Sequence, residues 1–260
     1  MTTLVAARPM GLWRLEWLRL IRTPRALSLG VVYLALGLIE PVATRYANTL
    51  IAHVGKGAVV HLPRPTPAQA LGSYVNDATL IGLIVLVSVA ASAYGFDARP
   101  GLATFFRTRA TGMWQLVAPR FIAYAVAGAA AYLVGTLAAW YETRLLIGSL
   151  PIGGLVAGLL CGAVYLTFAV AVTAFATSLT KTTVASVGIT LGILLALPLL
   201  ADVHAISSWV PSALIGAPAD LVASPPTYDL VHFVPALGVS VAAGALALAA
   251  AVQQLRRREI

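Results

Sequence analysis

The chain has 260 residues, 60% of them hydrophobic and only 10% charged, with a mean hydropathy of +0.90 and a net charge of +8. A soluble domain is about half apolar and a quarter charged, and a fold of this length has too much surface to conceal so apolar a chain. A soluble enzyme, a nucleic-acid-binding domain and a disordered chain are therefore excluded, and an all-α membrane protein of several spans is expected.

Residues 1–25 read as a cytoplasmic interfacial helix. They do not read as a signal peptide, because Arg8 and Arg14 follow the weakly apolar start without a cleavable apolar core. In a helix over 12–22, Trp13, Trp17, Leu20 and Ile21 share one face, while Arg14, Arg22 and Arg25 lie on another. Indoles at headgroup depth with guanidinium groups toward anionic lipid suit a membrane interface. A basic topology anchor would account for the charges alone. Pro24 breaks the helix before the first span.

A span needs about 20 mostly apolar residues. Six stretches qualify, at 26–44, 77–96, 121–141, 153–177, 183–201 and 232–252. Together they make a six-span transmembrane domain over 26–252, with a basic cytoplasmic tail at 253–260. Thirteen of the seventeen Lys and Arg fall on one side of this layout. The positive-inside rule makes that side cytoplasmic, with both termini on it. The outer connection 45–76 contains Pro63, Pro65 and Pro67. The outer connection 202–231 has no Lys or Arg but carries Trp209, Leu214, Ile215 and four prolines. That mixture fits two short helices at or dipping into the outer interface, or a plain ordered loop.

Catalytic chemistry finds no support. There is no GxSG motif with an intramembrane His, no HExxH and no pair of Asp residues in facing spans. His53, His61, His204 and His232 fall in or beside outer connections, where solvation or interfacial packing explains them. Cys161 lies in an apolar run and reads as a small buried hydrophobe; a lone cysteine supports neither a disulfide nor a zinc site. Ionisable groups deep in a bilayer are costly and hence informative. Here Glu40 sits a turn from the outer end of the first span, Asp77, Asp202 and His232 sit at boundaries, and the other span interiors contain none. Uphill transport would then draw its energy from elsewhere.

The inner connection 97–120 is the most informative stretch. Phe105 and Phe106 stand beside Arg107 and Arg109, with Trp114 beyond. Topology requires the charges but not the adjacent aromatics. Pro100 and Gly101 can start a short helix and Gly112 can end it. Such a helix would dock into an apolar groove of a partner; alternatively, the aromatics simply lie in the membrane interface.

On these residues the chain resembles an ABC transporter permease of the type-2 export class. The resemblance rests on Asp97 at the acidic position, Gly101, the apolar pair Phe105–Phe106, Arg109, then Trp114-Gln115-Leu116 and Arg120. Ala110 stands where a proline is usual, and Met113 where a second arginine is usual. It covers most of the chain with loose motifs, including the Pro-rich connection before the last span and the basic ending Arg256-Arg257-Arg258-Glu259.

The resemblance implies a half-transporter in the cytoplasmic membrane of a bacterium. Two permease chains, identical or homologous, would join two ABC ATPase subunits, with ATP and Mg bound in those partners. No Walker A sequence is present, so this chain is not expected to be an enzyme or to hold a cofactor. Gly101, Phe105, Phe106, Arg107 and Arg109 would form the coupling helix, and Trp13, Arg14, Trp17 and Arg22 the interfacial helix. The second and fifth spans would line the substrate path, which makes Ser88, Ser92, Tyr94, Thr183, Ser186 and Thr190 candidates. Each could instead bond back to its own helix. With so few polar groups, a hydrophobic or amphiphilic substrate is expected. The alternatives are a non-transporting membrane anchor and, at the far end, an intramembrane enzyme.

Overall fold

The computed structural model describes residues 10–47, 49, 64–95, 112–201 and 206–257. Their regular structure is entirely helical. α1 is Met10–Arg22, α2 Pro24–Arg45, α3 Pro67–Tyr94, α4 Trp114–Leu146, α5 Ile152–Leu179, α6 Thr183–Ala201, α7 Ala213–Val222 and α8 Leu230–Arg257. Six of these, all but α1 and α7, are long and apolar enough to cross a membrane. This is the architecture of a multi-pass membrane protein.

Local chemistry sets the boundaries. Thr23 is extended between α1 and α2, and its hydroxyl donates back to the Arg19 carbonyl at 2.7 Å, closing α1. Pro24 then opens α2 with the fixed φ that suits a first turn. Arg25 therefore belongs to α2, not to the N-terminal helix where the sequence reading placed it. α3 starts ten residues before the expected 77, within the expected outer connection 45–76. Thr66 and Gln69 form a capping box, and Pro67 is the first helical residue. α4 begins at Trp114, seven residues before the expected 121. α8 runs to Arg257, so Arg256 and Arg257 are helical and not part of a separate tail.

α5 is the central helix, the most buried of the six. On one side of the bundle α2, α3 and α4 meet around three tyrosines. Tyr33 lies edge-on to Tyr132 with centroids 6.2 Å apart, and Tyr74 stacks on Tyr132 at 6.1 Å. The Tyr74 and Thr136 hydroxyls both donate to the Tyr132 carbonyl, at 3.2 and 2.8 Å. α2 and α4 cross backbone to backbone at Gly37 and Gly135, where a Cβ on either would overlap main-chain atoms of the other helix. Cys161 is buried in the same core.

The connection before α8 is described over 206–229. It holds one 3₁₀ turn, Ser207–Trp209, and the single α-helix α7. Leu214 and Ala217 of α7 are fully buried. α7 can lie so close because Gly154 and Gly158 of α5 have no side chains; a Cβ there would strike the backbone of Leu221 or Pro218. His232 follows, its ring stacked on Tyr228 at 4.2 Å. His53, His61 and His204 lie outside the described residues.

Candidate functional site

Five helix ends converge at one end of the bundle: the end of α3, the start of α4, the end of α5, the start of α6 and the end of α8. α1 packs at this end against α4 and α2. Arg14, Arg22, Lys181, Arg256 and Arg257 gather at this basic end, whereas the opposite end has Arg45, Arg64 and Arg144 among the described residues.

α1 does not present the face expected from its tryptophans. Ile21 and Trp13 are turned outward, at 68% and 37% exposed, and Arg14 and Arg22 are exposed as well. The buried line is Leu12 (in part), Glu16 and Leu20, spaced by four, with Trp17 half-buried beside them. The reason is an ion pair. Arg120, in the second turn of α4, is 1% exposed, and its Nε donates to Glu16 Oε1 at 2.9 Å; Glu16 is itself 3% exposed. Arg19 approaches the other Glu16 oxygen at 4.0 Å, and burial holds the Arg19 pKa below its usual value despite Glu16. A second tie runs from Arg25 Nη1 to the Tyr124 hydroxyl at 2.9 Å, one helical turn further along α4. The start of α2 is thereby fastened as well. Glu16 was not singled out by the sequence, and Arg120 was placed in a connection. The available signal was a lone acid among Trp, Leu and Arg, and a lone base within an apolar run.

The longer α3 places Asp77, expected at a span boundary, within a helix. Asp77 lies inside α3, one residue before a π-helical turn at Ala78–Gly82, and its carboxyl is within hydrogen-bonding reach of Glu40 on α2. The two helices thus bring together acids that the sequence had assigned to separate span ends.

The expected coupling residues Gly101, Phe105, Phe106, Arg107 and Arg109 lie outside the described residues. Beyond Gly112, Met113, Leu116 and Val117 pack with Tyr94 of α3 and Leu248 and Val252 of α8. The end of the 97–120 connection is thus the helical start of α4, with Met113 and 116–120 buried and Trp114 and Gln115 exposed.

The six expected path residues sit on α3 and α6, which run side by side. At the basic end, Tyr94, Thr183 and Ser186 line one small cavity of about 20 Å³, with Lys181 and Thr180. That volume holds about one water. The Tyr94 hydroxyl is buried there without a hydrogen-bond partner among the described residues. Several hydroxyls are engaged locally: Ser92 donates to Val89 O at 2.7 Å, Thr190 to Ser186 O at 2.8 Å and Ser186 to Thr182 O at 3.0 Å. Ser88 is half-buried on α3.

A larger cavity of about 400 Å³ opens at the opposite end, between α3, α5, α6 and α7. Asn76, Thr79, Tyr165 and Ser212 line it together with leucines such as Leu194. The Ser212 hydroxyl is buried and has no partner among the described residues. Thr79 lies in the stretch expected as the second span but was not singled out there; Asn76, Tyr165 and Ser212 lie outside the second and fifth spans. Among the described residues no three His, Cys, Asp or Glu side chains cluster as metal ligands would. Neither a protein-family model nor a curated protein sequence matches this chain.

Proposed function

We propose that this chain is the permease subunit of an ATP-driven ABC exporter of the type-2 class, with ATP and Mg bound in a separate pair of ATPase subunits. The observation that carries the reading is the fastening of α1 and α2 to the start of α4. Glu16–Arg120 and Arg25–Tyr124 join them immediately behind the basic-aromatic connection 97–120. A force applied by a motor to Phe105, Phe106, Arg107 and Arg109 would enter α4 and, through these ties, reach α1 and α2 together. In this reading both termini are cytoplasmic, in keeping with the crowding of basic residues at that end. α1 lies at the inner membrane interface of a bacterium, its exposed Trp13, Arg14 and Arg22 toward lipid headgroups.

Transport would be completed by a second permease copy. α6 has only Ser186, Thr190 and Leu194 buried. Its outward side carries Gly188, Gly192 and Ala196 at spacings of four, and a Cβ on either glycine would meet nothing within 4 Å. Small residues so spaced allow two apolar helices to approach closely. Leucines mixed with Asn76, Thr79, Tyr165 and Ser212 in the outer cavity suit a hydrophobic or amphiphilic substrate better than a sugar or ion.

The test is co-purification with an ABC ATPase, best sought in a neighbouring reading frame. Wild type should retain two ATPase subunits per two permeases and show ligand-stimulated ATP hydrolysis. Arg107→Glu, Arg109→Glu, Phe105→Ala and Phe106→Ala combined should abolish the stimulation while the spans stay folded. An ATPase retained at full stoichiometry and activity by that variant would refute the assignment. Hydrolysis indifferent to every ligand would favour an anchor.

A further inference from the structure

α4, α5 and α8 leave a groove between them on the side of the bundle away from α2. Its deep part, about 270 Å³, is walled by Phe121, Val164, Phe168, Val241 and Leu248. Thr167 and Ser240 also line it, but their hydroxyls are spent on their own helices, donating to Ala163 O at 2.8 Å and Ala236 O at 2.7 Å. The groove therefore offers hydrocarbon and no free donor. Toward the basic end it runs into a wider depression of about 570 Å³ lined by Trp114, Gln253 and Arg256; Ala245 and Leu248 line both parts, so the two are continuous.

The dimensions match one leaflet. Ser240 to Ala249 spans nine residues of α8, about 14 Å of helix, close to half of a ~30 Å hydrocarbon core. Arg256 lies seven residues beyond, about 10 Å further, at headgroup depth. The exposed Trp114 and Arg256 bracket that level, an aromatic and a cation where an anionic headgroup would sit. Among the described residues the sole carboxylate at this end is Glu16, already buried against Arg120, so none of them offers Arg256 an acidic partner.

We propose that this groove is a binding site for an anionic glycerophospholipid of the basic-end leaflet, with an acyl chain between Phe121, Phe168 and Leu248 and the phosphate at Arg256. The site is independent of the transport reading.

The test uses the whole chain reconstituted in phosphatidylcholine bilayers containing a minority of phosphatidylglycerol, then purified; lipids that remain bound are counted by mass spectrometry. Wild type should retain phosphatidylglycerol in preference to phosphatidylcholine. Arg256→Ala should weaken that preference about fivefold, the worth of one basic group near an anionic surface, whereas Arg257→Ala should change it less. Ala245→Trp, at an exposed position that lines both parts of the groove, should remove both lipids. Equal retention of the two lipids by wild type, or equal effects of Arg256→Ala and Arg257→Ala, would overturn the headgroup site. Ala245→Trp that spares bound lipid but converts a dimer to a monomer would show that a second copy covers the groove instead.

Discussion

Breaking the Glu16–Arg120 pair from one side should release α1 from the bundle. At 2.9 Å and an effective dielectric of about 20, the direct attraction is about 6 kcal/mol. Desolvating the two groups, 3% and 1% exposed, costs several kcal/mol for each ion and offsets most of that. The intact pair is thus worth little net. Removing one partner strands the other charge in an apolar setting, at a cost of about 3–5 kcal/mol.

The readout is maleimide labelling of Leu20→Cys in a Cys161→Ala background, since Leu20 is 2% exposed on the docked face of α1. Arg120→Ala should accelerate labelling about a hundredfold or more, because each ~1.4 kcal/mol is a factor of ten. The double variant Glu16→Leu/Arg120→Met, which replaces both charges with apolar volume, should label within a few-fold of the parent. A double variant that labels as fast as the single one would refute the reasoning, because the dock would then depend on something other than charge compensation.

Gly158→Val should displace α7 at a cost of a few kcal/mol, since its side chain would meet the Pro218 backbone; faster hydrogen exchange confined to residues 213–222 would confirm it, and unchanged exchange would refute it. Gly188→Leu with Gly192→Leu should lower the dimer fraction in detergent without lowering the melting temperature of the single chain, as both positions are exposed and a Cβ at either meets nothing within 4 Å; a persistent dimer would exclude this face. Burial raises the Asp220 pKa, partly offset by His232. A raised carboxyl pKa gives stability that is complete below the unfolded value of about 3.9 and is lost as pH climbs through the folded value. Protection of α7, after correction for intrinsic exchange, should therefore fall as pH rises from about 4, and Asp220→Asn should flatten the profile; an equal slope in that variant would refute the assignment to Asp220.

Hydropathy and the proportion of charge make the six long helices legible in the sequence, and 183–201 coincides with α6. The start of α3 was also legible, in the run Thr66-Pro67-Ala68-Gln69, but a hydropathy window discounts polar first turns. The orientation of α1 was not legible. Side-chain apolarity favours a face through Trp13, Trp17 and Ile21, and only the position of Arg120, 104 residues away, turns Glu16 inward. Tertiary charge pairing overrides amphipathic pattern here because an unpaired buried arginine costs more than two exposed apolar side chains. The outer cavity escaped for a related reason: Tyr165 and Ser212 belong to α5 and to the segment leading into α7, and no local pattern announces that they share a space with α3 and α6.

The contact of Gly37 with Gly135 has a mechanical consequence. α2 and α4 share the most extensive helix–helix contact of the bundle, and their backbones come closest at this crossing, so sliding is resisted and tilting displaces least there. Gly135 lies 21 residues from the start of α4 and 11 from its end, about 32 and 17 Å. Were α4 to rock there as a rigid rod, the crossing would be its fulcrum. A displacement at the Arg120 end would reappear at the far end reversed in direction and about half as large.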